Sequence, residues 1–367
     1  MALILVIGSF LPILIVNVIY FFTEECQELR RRICVHCAAK PETALSLLRQ
    51  APGRETTSWT GHGNGHETEA RNHIVPSGIP ALDRQLNGGF RVGNVTEIYG
   101  SAGTGKTQLA MHLCVAAATN LGLASAYIET EEKFSMERLA EIAAAKSGCP
   151  FRSTSRPKTD AETNYILETP EQRQRFHQIM SQILIYDSAN SADKLKNVLS
   201  AVEIEACARY DSNHDDDGYT ARQAPLGVIV LDSIASPARR DFGKGDVASR
   251  AQFLMECANT LKRLAETLNL AVVVINHIGG TAFHNDNADV TDQALDATGA
   301  LGNSWHHCAT TRLLIENKNQ ANAVQVLQLR KVIVSKSSML KRGTAALVCM
   351  DRYGFHDALD YSYNATE

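Results

Sequence analysis

The sequence predicts an α/β fold in which a largely parallel central sheet is wrapped by helices and gains antiparallel edge strands at its C-terminal end. Three observations predict it. From Ile74 onward, short β-branched apolar runs alternate with helical patterns, as expected of strands buried on both faces and joined by right-handed crossovers. One such run leads directly into a glycine-rich loop and then a helix. Beyond Thr310 the helical spacing disappears, and apolar runs follow one another with only turn-like spacers between them.

Residues 1–23 form an apolar segment. Ala2 to Phe22 carries no charge and is long enough for one bilayer crossing, and Arg30, Arg31 and Arg32 after it would hold the rest of the chain on the cytosolic side. No basic stretch precedes it and no clean small-residue cleavage site follows, which argues against a cleaved signal peptide. A membrane tether, a buried helix and a stretch that is not part of the mature protein all fit this segment. Residues 24–50 read as a short helical region, broken near Pro41, with Leu29, Ile33, Leu45 and Leu48 spaced along it. Residues 51–73 turn polar and Gly/His-rich, the composition of a linker. Residues 74–360 are the expected folded core.

Within that core, strands are predicted at Val95–Tyr99, Ala124–Ile128, Ile183–Tyr186, Gly227–Leu231 and Ala271–Ile275. A helix is predicted over Ser249–Leu268, because Phe253, Cys257, Leu261, Leu264 and Leu268 recur along one face. The antiparallel edge is predicted from Leu313–Ile315, Val324–Leu329 and Ala345–Met350.

The chemistry is concentrated where strands end. Gly100-Ser101-Ala102-Gly103-Thr104-Gly105-Lys106-Thr107 has the spacing of a phosphate-cradling loop. The glycines let backbone N–H groups turn onto phosphate oxygens, and the positive end of the following helix faces the same anion. Lys106 is expected on the β- and γ-phosphates of a bound nucleotide and Thr107 on Mg²⁺, with Asp232, at the end of an apolar strand, as the second metal-side group. Hydrolysis needs a carboxylate to orient water. Glu129, Glu131 and Glu132 follow one strand, and alternation puts Glu129 and Glu131 on one side without choosing between them. Asn276 and His277 end another strand, where they would contact the γ-phosphate or merely cap a turn.

Two segments follow those strand ends. Ala238 to Gly245 is cationic and glycine-rich, and Gly279 to Gly302 is polar. Arg239, Arg240 and Lys244 would meet the phosphates of a polymer, so that nucleotide state and polymer contact are coupled. The whole chain is not basic, with 36 Lys and Arg against 40 Asp and Glu for a net charge of −4, so nucleic-acid binding must come from such a local patch. Nine cysteines, an odd number in apolar surroundings, argue for reduced thiols and against a disulfide framework. Cys34 and Cys37 with His62 and His66 have zinc-ligand residue types, but the gap between the pairs exceeds finger spacing. The acidic run Asp211 to Gly218 opens like a calcium loop, yet Asp216 stands where glycine is needed and Arg222 where glutamate is needed.

Taken in order, Pro76–Asp83, Leu86–Phe90, the phosphate loop, Tyr127–Leu139, Asp232-Ser233 and Thr310–Leu313 resemble the RecA-like DNA recombinases over roughly Ile74 to Gly354. Ala102–Ala110, Glu129-Thr130-Glu131 with Phe134 and Arg138-Leu139, Asp232–Pro237 and Ala300–Trp305 are similar to the eukaryotic recombinase paralogues, particularly the X-ray-repair cross-complementing type. The resemblance implies a RecA-like P-loop ATPase core, ATP held at a subunit interface and a part in homologous recombination in the nucleus. It makes Glu131 the catalytic carboxylate beside Lys106, puts Gln108 in the nucleotide site and gives Arg138 an adenine-stacking role. It also makes the two segments after Asp232 and His277 the DNA-facing loops.

Departures from the family pattern sharpen the expectation. His277 stands where the recombinases have Gln, Glu132-Lys133 replaces a Gly-Thr pair, and the aromatic hook used for polymerisation is missing between Ala51 and Val75. Expected partners are therefore single-stranded DNA, another paralogue subunit and the recombinase itself, in a hetero-oligomer rather than a long filament of one chain. A scaffold that does not hydrolyse ATP, and a membrane-tethered ATPase facing the cytosol, are the alternatives.

Overall fold

A computed structural model of the chain describes residues 42–43, 74–148, 169–211, 223–243, 245–278, 301–318 and 328–358. The apolar segment, the polar linker, the zinc-type Cys and His residues, most of the acidic run, Lys244 and residues 279–300 lie outside the described residues.

The elements run β1 (Glu42–Thr43), β2 (Ile74–Val75), α1 (Pro80–Gln85), β3 (Phe90–Arg91), β4 (Val95–Gly100), α2 (Lys106–Leu121), β5 (Ala124–Glu129), α3 (Met136–Lys146), α4 (Pro170–Ser181) and β6 (Ile183–Tyr186). They continue α5 (Ala192–Asp211), β7 (Leu226–Asp232), α6 (Ala235–Arg240), α7 (Val247–Thr267), β8 (Ala271–His277), α8 (Gly302–Cys308), β9 (Thr311–Asn317), β10 (Gln328–Lys336), β11 (Ala345–Asp351) and β12 (Gly354–Asp357).

Among the described residues, a ten-stranded sheet has the order β1-β6-β5-β7-β8-β4-β9-β10-β11-β12. The six strands from β6 to β9 are mutually parallel, and β10, β11 and β12 extend the edge antiparallel, so the predicted sheet is present. Two apolar layers cover it. One joins α1, α2, α3 and α4 to Ile98, Tyr127, Val230 and Ile275. The other joins α5, α6, α7 and α8 to Ile128, Leu231 and Val274. Alternation along each inner strand supplies both layers, which is why those strands read as continuous apolar runs.

Helix ends follow local chemistry. The Ser135 hydroxyl accepts the Arg138 N–H and starts α3, and Thr169 with Gln172 forms a capping box on α4. α2 is buried over most of its circumference and therefore lacks a polar face, as a helix sandwiched between sheet and other helices should.

Two expectations change. Residues 42–43, placed in a helical region, pair as β1 with Leu184 and Ile185 of β6. The edge of β6 offers unpaired backbone groups, which this two-residue strand satisfies. Of the strand expected at Val324–Leu329, residues 324–327 lie outside the described residues, and the described strand, β10, runs from Gln328 to Lys336. Arg330 and Lys331 interrupt its apolar run and hid its true extent, although Arg330 itself is buried.

His112 lies at the centre of α2, fully buried, and its Nδ1 accepts the Phe355 backbone N–H at 3.2 Å. Burial pushes its pKa down to about 3. The unfolded chain therefore takes up this proton first, so the stability is complete above pH about 6.5 and is lost as pH falls toward 3. The unfolding free energy from urea titrations should fall by up to about 1.4 kcal/mol per unit as pH drops from 7 to 5 on account of this residue, and His112→Asn should flatten that slope.

Candidate functional site

The phosphate loop leaves the carboxyl end of β4, the edge where open α/β sheets hold ligands. A Cβ on Gly100 would stand 2.3 Å from the Ile315 carbonyl oxygen on β9, so only glycine lets the loop start there. Gly105 has φ +96°, and a Cβ on it would lie 2.7 Å from Met350 Sδ and 3.0 Å from Phe355 Cζ. Ser101, Ala102 and Gly103 are exposed at the tip. The Thr104 hydroxyl donates to the Ser101 carbonyl at 3.0 Å, and the Arg330 guanidinium donates to the Thr104 carbonyl at 3.0 Å.

Lys106 opens α2 and is buried. Its Nζ donates to the Gly100 and Ser101 carbonyls at 2.9 and 2.7 Å. Burial lowers its pKa to about 8, against the opposing pull of Asp232 and Glu131. Among the described residues no carboxylate forms an ion pair with this ammonium, which sits at a helix N-terminus beneath exposed loop amides. Such a donor set fits the anionic oxygens of a polyphosphate.

On the metal side, Thr107 Oγ1 donates to Asp232 Oδ2 at 2.7 Å, and so does the Tyr127 hydroxyl. Burial raises the Asp232 pKa, and those two hydrogen bonds oppose it. Tyr127 is a site residue that sequence reasoning missed. It lies within the strand predicted at Ala124–Ile128, and only its position two residues before Glu129 on β5 points to the sheet edge. A hydroxyl beside a buried carboxylate is a suitable oxygen set for a hard cation such as Mg²⁺.

The three glutamates part company. β5 ends at Glu129 and the chain turns, so alternation does not reach Glu131. Glu129 Oε1 is taken by the backbone N–H groups of Glu131 and Lys133 at 3.0 and 2.7 Å. Glu132 is exposed with φ +57° and accepts from Asn190 at 3.0 Å. Of the three, only the Glu131 carboxylate contacts side chains at the ends of β7 and β8. Its Oε1 accepts from the Ser233 hydroxyl at 2.8 Å and lies 3.2 Å from His277 Nε2, and its Oε2 accepts from Lys133 Nζ at 2.8 Å. The His277 hydrogen bond is the largest cause, with Lys133 and Ser233 behind it, of a pKa held well below the ordinary glutamate value.

Asn276 requires a correction. Its side chain does not face the phosphate loop: it is fully buried on the other layer, donating to Glu97 Oε1 at 2.6 Å and accepting the His277 N–H at 2.8 Å. Alternation along β8 explains this, since adjacent residues of a strand point to opposite faces. Glu97 also accepts from Trp305 Nε1 at 3.1 Å and pairs with Arg312 Nε. That guanidinium lies 4.3 Å from the centroid of the Tyr99 ring. This buried polar cluster was not anticipated, because its members come from four separate elements.

Arg138 is clamped rather than free. It donates to Gln108 Oε1 at 3.0 Å, to Glu141 Oε2 at 2.7 Å and to the Asp351 and Arg352 carbonyls. The guanidinium therefore joins α2, α3 and the β11–β12 turn.

Arg239 and Arg240 also differ from expectation: they end the short helix α6 and do not lie in a loop. Both are exposed, and Arg240 donates to the Asn190 carbonyl at 2.8 Å. With Glu131, Lys133 and Ser236 they line an open cleft of about 470 Å³. This places two cations beside the carboxylate, although Lys244 lies outside the described residues.

Comparisons with known proteins find two family models and several DNA repair proteins to which the chain is similar. A family model for an ATPase, described as KaiC, matches residues 75–186. One described as Rad51 matches residues 173–341. DNA repair protein RAD51 homolog 2 of Homo sapiens is 27% identical over 325 residues, covering 83% of this chain and 70% of that protein. RAD51 homolog 4 of Bos taurus is 26% identical over 290 residues, covering 78% and 74%. DNA repair protein XRCC3 of Bos taurus is 27% identical over 286 residues, covering 77% and 70%.

Proposed function

We propose that the chain, similar to the RecA-like ATPases and to the eukaryotic recombinase paralogues, is an ATP-binding protein of homologous recombination. In this reading it binds single-stranded DNA and assists or caps a recombinase filament during double-strand break repair. The observation that carries the reading is the convergence of Lys106, the Thr107–Asp232 pair and Glu131 at one sheet edge, with Arg239 and Arg240 across a cleft from Glu131.

In the proposed division of labour, the loop amides from Ser101 to Gly105 with Lys106 bind the phosphates. Thr107 and Asp232 would hold Mg²⁺, which would supply charge neutralisation for the phosphates. Glu131, oriented by Ser233 and His277, receives a proton from water. A carboxylate held this far below its usual pKa is a weak base, so slow hydrolysis is expected. Arg138 fixes Gln108 and the β11–β12 turn at the rim where the base would lie. Arg239 and Arg240 contact DNA phosphates.

The relatives are DNA repair proteins by name. This supports a nuclear location and partnership with a paralogue subunit and the recombinase. Among the described residues no helix is long and apolar enough to cross a membrane, and Ala2 to Phe22 lie outside them.

The test is ATP turnover with and without single-stranded DNA. Glu131→Gln should lower turnover at least 100-fold while nucleotide binding persists. Arg239→Ala with Arg240→Ala should weaken salt-dependent retention of DNA and spare nucleotide binding. Absence of turnover in the wild type, together with ATP-dependent binding of a paralogue, would favour the scaffold reading instead.

A further inference from the structure

Lys133 offers a role that the site described so far does not use. Its backbone is anchored, because its N–H donates to Glu129 Oε1 at 2.7 Å. Its side chain is 77% exposed, and the ammonium reaches back to Glu131 Oε2 at 2.8 Å. The two oxygens of Glu131 are thus held differently. Oε1 is shared by the strand ends through Ser233 and His277, whereas Oε2 is taken by Lys133. A carboxylate that accepts a proton from water needs a free lone pair, and Oε2 is the oxygen not committed to β7 or β8. The cleft shared by Lys133, Ser236, Arg239 and Arg240 opens beside this pair.

We propose that Lys133 is a positioning residue that keeps Glu131 Oε2 occupied, and that a phosphodiester of single-stranded DNA entering the cleft draws the ammonium away and frees that oxygen. The inference rests on the reading of Glu131 as the water-activating group. Three observations carry it. Lys133 and Arg239 are close enough for their charges to repel, so an anion between them is favoured by both. The ion pair is largely exposed on the lysine side, and such pairs are weak enough for a second anion to compete. The anchored backbone lets the ammonium leave by side-chain rotation alone, without disturbing Glu129 or Glu131. Other charged and titratable groups around Glu131 are His277 from β8, Asp232 from β7, Glu129 from β5 and Lys106 from α2. None of these lines the cleft.

The experiment compares ATP turnover of full-length wild type, Lys133→Met, Lys133→Arg and Glu131→Gln, with and without oligo-dT, across pH. Lys133→Met should raise turnover without DNA about two- to fivefold, the size of a weak exposed pair. It should shrink the oligo-dT stimulation by the same factor and move the acid limb of the turnover profile to higher pH. Lys133→Arg should behave as wild type. Unchanged or lower turnover in Lys133→Met with an unmoved acid limb overturns the proposal, as does undiminished oligo-dT stimulation. The two readings fail distinguishably. If Glu131→Gln keeps wild-type turnover, the carboxylate is not the base and the Lys133 role falls with it. If Glu131→Gln is inactive and Lys133→Met is unaltered, only the Lys133 role falls.

Discussion

Replacing Lys106 by alanine should weaken adenine-nucleotide binding about 100-fold, as measured by titration calorimetry at pH 7. The size follows from what is removed. A buried ammonium at the mouth of α2 has backbone carbonyls as its partners, and charge-assisted hydrogen bonds to phosphate are roughly twice as strong as neutral ones. The same residue gives the wild type a pH signature. Its pKa of about 8 lies below the ordinary lysine value, so the free protein loses the charge from pH 8 upward. Affinity for ATP should then fall by up to about tenfold per pH unit above 8. Stability of the nucleotide-free protein should move the other way. Between pH 8 and the unfolded value near 10.4 the unfolded chain binds more protons, so this residue makes folding more favourable as pH rises. Opposite trends in affinity and stability over one pH window would be hard to produce from any other group in the site.

Arg312→Met should destabilise the core by about 3–5 kcal/mol, because it leaves the Glu97 carboxylate buried without its counter-charge. Both partners are almost fully buried, with side-chain exposures of 1% and 0%. Asn276 and Trp305 would remain as donors to Glu97, but neither carries charge. For a folded unit of this size the melting temperature should drop by about 10 °C. Adding Glu97→Met to the same chain should recover most of the loss, since a pair of well-packed apolar residues costs little beside a half-broken ion pair. Failure of the double variant to recover would mean that Asn276 and Trp305 suffer more from losing their acceptor than Glu97 suffers from losing Arg312.

What the sequence made legible follows from which signals are local. Ile183–Tyr186 and the apolar face of Ser249–Leu268 appear as β6 and α7 because alternation and helical spacing are properties of a few adjacent residues. The phosphate loop was legible for the same reason, since strand, glycines, Lys106 and helix are contiguous. Charge hid β10, whose Arg330 is buried by a contact with Thr104, 226 residues away in the chain. Glu129 and Glu131 could not be separated, because where a strand stops depends on the turn that follows it. Asn276 was placed at the right strand end and given the wrong direction. Alternation along β8 puts Asn276 and His277 on opposite faces, whereas its partner Glu97, 179 residues distant, is announced by no neighbouring residue.

The support beneath the phosphate loop has an implication for synthesis. Arg330 grips Thr104, Met350 and Phe355 close against Gly105, and the carbonyls of Asp351 and Arg352 hold Arg138. All of these props emerge from the ribosome more than 200 residues after the loop itself, given the 226-residue span from Thr104 to Arg330. As the first half of the chain appears, the loop therefore lacks these supports. A chain shortened before Gln328 should therefore hold the loop less firmly, and its affinity for nucleotide, measured beside the full chain, should be weaker.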